Sequence, residues 1–249
     1  MSGQATDRLA SKVMVALDKP DAAAALELVG RLADIPCWFK VGLELFYAAG
    51  PDLVRRLKAG GHRVFLDVKM HDIPNTVKGG ARSLTLLGAD MFNVHAAGGT
   101  AMMAAALEGV REALASGQAP FAAGEGPAVI AVTQLTSTSR TVMNEEIGIP
   151  GPVEQTVLRY AELAGRVGLA GVVASPLECA AVKEKMGDRF LVVTPGIRPA
   201  GADAGDQSRI ATPSQALGAG ADYLVIGRPI TASPDPRAAM MSILEEMNG

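Results

Sequence analysis

Asp67 and Lys69 stand two residues apart in Val64-Phe65-Leu66-Asp67-Val68-Lys69, an otherwise apolar run of strand-like composition. Side chains alternate along an extended chain, so Val64, Leu66 and Val68 share one side and Phe65, Asp67 and Lys69 the other. Burying either charge alone costs several kcal/mol, so packing gives no reason for the pair. An acid and a base on one buried face are equipment for acid–base chemistry rather than for packing. Two further charges mark neighbouring runs: Asp18 follows 13–17, and Lys40 lies inside 38–43. His71-Asp72-Ile73-Pro74-Asn75-Thr76 comes directly after, with Pro74 suited to the first turn of a helix. Structural ion pairs at a rim are the competing reading for these charges.

The C-terminal part offers an anion site. Thr194-Pro195-Gly196-Ile197-Arg198-Pro199 and Ile226-Gly227-Arg228-Pro229 each set glycine beside arginine. Backbone N–H groups and a guanidinium can converge there on a phosphate. Between them, 200–210 is long and polar, contains Gly201, Gly205 and Gln207, and suits a lid that closes over a bound phosphate. Solvated arginines beside turn glycines are the plainer alternative.

Such groups need a scaffold. Short runs rich in aliphatic residues recur at 13–17, 38–43, 64–68, 91–96, 128–132, 171–174, 190–193 and 223–226. Near-continuous apolar character marks strands buried on both faces, hence parallel ones. Helical spacing appears between them, as in 21–32 (Leu26, Val29, Leu32) and 151–167 (Val157, Leu158, Ala161, Ala164). Pro20, Pro51, Pro74, Pro152, Pro176 and Pro213 read as helix starts. The spacing is about 30 residues per unit, as a strand–helix repeat requires. An open doubly wound sheet would carry a glycine-rich turn after its first strand, and Leu17-Asp18-Lys19-Pro20 has none. Eight strands alternating with eight helices predict an α/β fold, a (β/α)8 TIM barrel spanning 1–249 as a single domain, with catalytic groups at the C-terminal strand ends. The stretch 116–127 is expected to be a surface loop on the opposite side.

Composition narrows the function. The chain has 249 residues, 49% hydrophobic and 20% charged, so it is globular rather than disordered. Aromatics are 4%, which makes the core aliphatic. Lys and Arg number 23 against 26 Asp and Glu, a net charge of −3 that argues against a nucleic-acid or anionic-membrane surface. Cys37 and Cys179 form no paired motif and read as small buried residues. Residues 1–10 show no apolar signal core, and no run is long enough to span a bilayer, so a cytoplasmic protein is expected.

The sequence resembles the orotidine 5′-phosphate decarboxylase family in its bacterial short-chain form. The resemblance is carried over most of the chain by Val15-Ala16-Leu17-Asp18, Phe39-Lys40-Val41-Gly42, Phe65 to Thr76, Val132-Thr133-Gln134-Leu135-Thr136-Ser137, Val193 to Pro199, Asp206-Gln207 and Val225 to Ile230. The Asp67-Val68-Lys69 core is shared with sugar-phosphate relatives, whereas the HDIPNT segment with PGIRP and GRPI at these distances is highly specific. Val68 and Met70 stand where leucine is commoner, and no functional group is lost. The resemblance implies loss of CO2 from orotidine 5′-phosphate to give UMP, without cofactor or metal. It implies a charge array Lys40–Asp67–Lys69–Asp72, with Lys69 the proton donor and Asp72 supplied by the second subunit of a homodimer. Asp67 and Asp72 would flank the departing carboxylate. Asp18 and Lys40 would hold the ribose, with Thr76 reaching across the dimer interface, and Ile73 would also bind the substrate. Thr136 would lie by the pyrimidine edge, and Gln207, Gly227, Arg228 and Arg198 would take the phosphate.

Two rivals follow from the same residues. One is a metal-dependent sugar-phosphate decarboxylase or epimerase, for which His71, His95 and Asp67 would be the ligands on offer, although no paired-histidine spacing supports it. The other is a non-catalytic phosphate-ligand binder, for which a buried proton donor has no use.

Overall fold

The computed structural model describes residues 3–199 and 210–248. Eight strands, β1 (Val13–Ala16), β2 (Trp38–Gly42), β3 (Arg63–Met70), β4 (Met91–His95), β5 (Ala128–Val132), β6 (Gly171–Val173), β7 (Leu191–Thr194) and β8 (Tyr223–Ile226), close into one ring. Every pairing is parallel, and β8 returns to β1. The helices are α1 (Gly3–Ala10), α2 (Ala22–Gly30), α3 (Leu43–Ala59), α4 (Pro74–Leu86), α5 (Gly99–Ala115), α6 (Val153–Val167), α7 (Cys179–Met186), α8 (Pro213–Gly218), α9 (Arg228–Thr231) and α10 (Pro236–Asn248). The expected α/β barrel is therefore present. Helix α1, ahead of the first strand, and a second helix after the last, since α9 and α10 both follow β8, go beyond eight simple units.

Alternation divides the core in two. Met14, Trp38, Phe65, Met91, Ile130 and Val193 fill the inside of the ring. Val64, Leu66 and Val68 face outward into the larger layer between strands and helices. Phe65 thus belongs to the plug, and the polar residues further along β3 open above it. Burying the aliphatic outer layer gives about 25 cal/mol for each Å² removed from water.

The joints show where the proline reading needs correction. Pro74 and Pro213 do open α4 and α8. Pro20 instead precedes Asp21, whose carboxylate caps α2 by accepting the Ala24 N–H at 2.9 Å. Pro152 stands just before α6. Pro51 follows Gly50, whose φ of 66° breaks α3 into two pieces. A ring without an N–H restarts the helix there at no hydrogen-bonding cost. The stretch 116–127 links α5 to β5, which sets it at the N-terminal end of the strands, away from the site. Cys37 and Cys179 are buried and free. Burial pushes the Cys37 thiol up to about 12. No helix among the described residues is long and apolar enough to cross a membrane.

Candidate active site

At the C-terminal mouth lies a cavity of about 590 Å³. Asp18, Lys40, Asp67 and Lys69 line one part of it, with Thr136, Arg198, Gly227 and Arg228 also in its wall. Strand ends that were far apart in sequence are thereby joined: β1, β2 and β3 supply the charges, and the segments after β7 and β8 supply the arginines.

The four charges form a chain of alternating sign. Lys69 Nζ donates to Asp67 Oδ1 at 2.6 Å. Lys40 Nζ lies 3.5 Å from Asp67 Oδ2 and donates to Asp18 Oδ1 at 3.3 Å. Asp67 and Lys40 are largely buried, with side chains 14% and 10% exposed, whereas Asp18 is open at 61%. Burial alone would raise the Asp67 carboxyl. Lys40 and Lys69 reverse that, helped by hydrogen bonds from Lys69 and Asn93, and hold it below the ordinary carboxylate range. Asp67 is therefore an anion at neutral pH, fixed between two lysines.

The backbone departs from simple alternation at Lys69. Its φ is 47°, the only positive φ among the described non-glycine residues. Such a conformation costs of order 1–3 kcal/mol and persists only when the surroundings enforce it. The β3–β4 register slips at the same place, between Leu66 and Met70. Asn93 on β4, fully buried, accepts the Lys69 N–H at 2.7 Å and donates to Asp67 Oδ1 at 2.7 Å. Sequence reasoning missed this residue. The available signal was a lone amide in the apolar run Met91-Phe92-Asn93-Val94, in phase with the inward-facing Met91.

The arginines differ. Arg198 is buried at 7% exposure, and its Nη1 donates to the Ile197 carbonyl at 2.9 Å. Arg228 is exposed and begins α9, directly after Gly227. A methyl group on Gly227 would stand 3.6 Å from Asp18 Oδ2, so the β8 turn closes against the β1 end of the charge chain. Segments 196–198 and 211 are clipped together by Arg198 N–H to Ala211 carbonyl at 3.0 Å and Ala211 N–H to Gly196 carbonyl at 3.3 Å. Gln207 and nearly all of the expected lid lie outside the described residues. Gln134 and Ser137, not chosen as site residues, also line the cavity.

Asp72, Ile73 and Thr76 are not brought into this cavity. All three are exposed on the segment that leads into α4, and Ile73 is 67% exposed. Asp72 Oδ1 accepts the Ile73 N–H at 2.6 Å. His71 and His95 face one another with ring centroids 5.6 Å apart. Burial chiefly, then the charges of His71 and Lys69, holds the His95 imidazole below its ordinary value. Among the described residues no three of His, Cys, Asp and Glu are grouped to hold a metal ion.

Comparison with known proteins agrees with this geometry. An orotidine 5′-phosphate decarboxylase of Moorella thermoacetica is 56% identical over 236 residues, covering 95% of this chain and 92% of that protein. One of Cutibacterium acnes is 51% identical over 238 residues, covering 96% of this chain and 97% of the relative. Among solved structures, orotidine 5′-phosphate decarboxylase from Lactobacillus acidophilus superposes with a TM-score of 0.82 at 41% identity, covering 95% of this chain and 99% of that one. The sequence profile of one family matches residues 11–243. With that profile, these relatives and a charged barrel mouth of this geometry, the chain belongs to the orotidine 5′-phosphate decarboxylase / HUMPS family.

Proposed function

We propose that the chain decarboxylates orotidine 5′-phosphate to UMP, the closing step of pyrimidine nucleotide synthesis. The observation that carries this reading is one cavity holding an Asp18–Lys40–Asp67–Lys69 charge chain together with Gly227 and Arg228. The C–C bond to the carboxylate breaks, CO2 leaves, and the bonding pair stays on the ring carbon. That carbon has no conventional electron sink. The Lys69 ammonium, aimed at it, stabilises the developing charge more than the ground state and then donates its proton. One proton is consumed for each CO2 released. Asp67 and Asp72 flank the departing carboxylate and orient Lys69. Asp18 and Lys40 hold the ribose hydroxyls, Thr136 meets the pyrimidine edge, and Arg228, Gly227, Arg198 and Gln207 bind the phosphate. The reaction needs neither cofactor nor metal in this reading.

The exposure of Asp72, Ile73 and Thr76 in a single chain supports a homodimer in which each subunit completes the other's site. We read residues 1–249 as one catalytic domain working in the cytoplasm. The test is release of CO2 from orotidine 5′-phosphate by purified protein in EDTA. Undiminished turnover is expected. Turnover that requires an added divalent metal would favour the sugar-phosphate chemistry, and binding without turnover a phosphate-ligand binder.

A further inference from the structure

We propose that Asn93 is a positioning residue for the decarboxylation, tying the backbone of Lys69 and the carboxylate of Asp67 into one unit so that the ammonium points at the ring carbon. The inference rests on the decarboxylase reading and deepens it. From Leu66, paired with Phe92, to Met70, paired with Val94, β3 spends four residues where β4 spends two. The surplus lifts Asp67, Val68 and Lys69 out of step with the β4 backbone. Within this bulge Lys69 takes its left-handed φ. Its N–H is then met by the Asn93 side chain rather than left to the strand ladder. The amide orientation is fixed by its partners: an N–H must meet Oδ1, and a carboxylate must meet the NH2 group. Asp67 Oδ1 thus receives both Asn93 Nδ2 and Lys69 Nζ. No other side chain bonds to the backbone of Lys69 and to the acid that holds its amine among the described hydrogen bonds. Asn93 need not touch the substrate, so it acts through Lys69 and Asp67.

The charged and titratable groups around it are Asp18 just after β1, Lys40 on β2, Asp67 and Lys69 on β3, His71 beyond β3 and His95 on β4. From β5, Asn93 is met by Ile130, which does not titrate.

The test compares Asn93→Ala and Asn93→Asp with the parent across pH 5–8, measuring kcat, KM and UMP affinity. Asn93→Ala removes both bonds. Its kcat should fall about 10- to 100-fold, with KM and UMP affinity within about threefold, since a displacement near 1 Å at the reacting group suffices for such a loss. Asn93→Asp is isosteric, so it serves even if the alanine variant fails to fold. Its new carboxyl keeps the acceptor for the Lys69 N–H and can donate to Asp67 only when protonated. Its kcat relative to the parent should therefore rise by about tenfold or more as pH falls, while the shared histidine titrations cancel in the ratio. A merely space-filling residue would not show that recovery. A kcat within twofold of the parent for Asn93→Ala overturns the proposal, as does a pH-independent ratio for Asn93→Asp. An inactive parent overturns the decarboxylase reading itself.

Discussion

Replacing Asp67 by Asn keeps the shape of the side chain and removes the charge that two lysines share. Lys69 Nζ is 2.6 Å from one carboxylate oxygen and Lys40 Nζ 3.5 Å from the other. At an effective dielectric near 20 these separations correspond to about 6 and about 5 kcal/mol of gross attraction. Water reaches the site, with Lys69 29% exposed, so the net value is a fraction of either. Two outcomes can be separated. If Asp67 works mainly by repelling the substrate carboxylate, its removal should tighten substrate binding. Two charges about 4 Å apart give roughly 4 kcal/mol at this dielectric, or about three decades of affinity. If it works mainly by fixing Lys69, kcat should fall by about 10²-fold or more while substrate affinity, measured against UMP, tightens by less than about tenfold. We expect the second outcome. Barriers removed by enzymes are typically about 8–23 kcal/mol, which repulsion of this size cannot supply. The assay is loss of the orotate chromophore together with equilibrium binding of UMP and of substrate under single-turnover conditions. A kcat within threefold of the parent, or a thousandfold gain in substrate affinity, would refute the reasoning.

Three further outcomes follow. A methyl group on Gly109 of α5 would come within 2.1 Å of the Lys78 carbonyl of α4, so Gly109→Ala should lower the thermal midpoint by an overpacking cost of about 1–3 kcal/mol; an unchanged midpoint would show that the two helices can separate freely. His95 and Asp67 both have folded values below their ordinary ones of 6.5 and 3.8, so their contributions to stability are complete above those values and are lost as pH falls below them. Melting curves should therefore be flat near pH 7.5 and decline below about 6.5, less steeply in His95→Gln; equal slopes would contradict the assignment to His95, since His62 shifts in the same direction and remains in both. Mixing Asp72→Ala with Lys69→Ala should restore part of the activity through hybrid dimers, and verified subunit exchange without recovery would exclude a shared site.

Much of the barrel was legible because parallel strands buried on both faces need unbroken apolar runs, and these recur along the whole chain. Asp67 and Lys69 stood out because charge interrupts such a run at a strand end. Helix starts were harder to place. Pro20 and Pro152 stiffen the entry to a helix without being its first residue, and Asp21 does the capping. Asn93 escaped notice because a single amide on a strand carries no charge and no motif. Its importance arises from a bulge in the neighbouring strand, a pairing detail that local sequence does not encode. The place of Asp72 is hidden for a related reason: its proposed partner is another copy of the chain, which one sequence describes only once.

The account stands on Lys69 as the proton donor. Turnover of orotidine 5′-phosphate by Lys69→Ala, measured beside its UMP affinity, tests this most directly. We expect kcat to fall by at least about 10⁴-fold with UMP affinity kept within about tenfold, because removing a group used only in the transition state spares ground-state binding. Turnover within tenfold of the parent would contradict it.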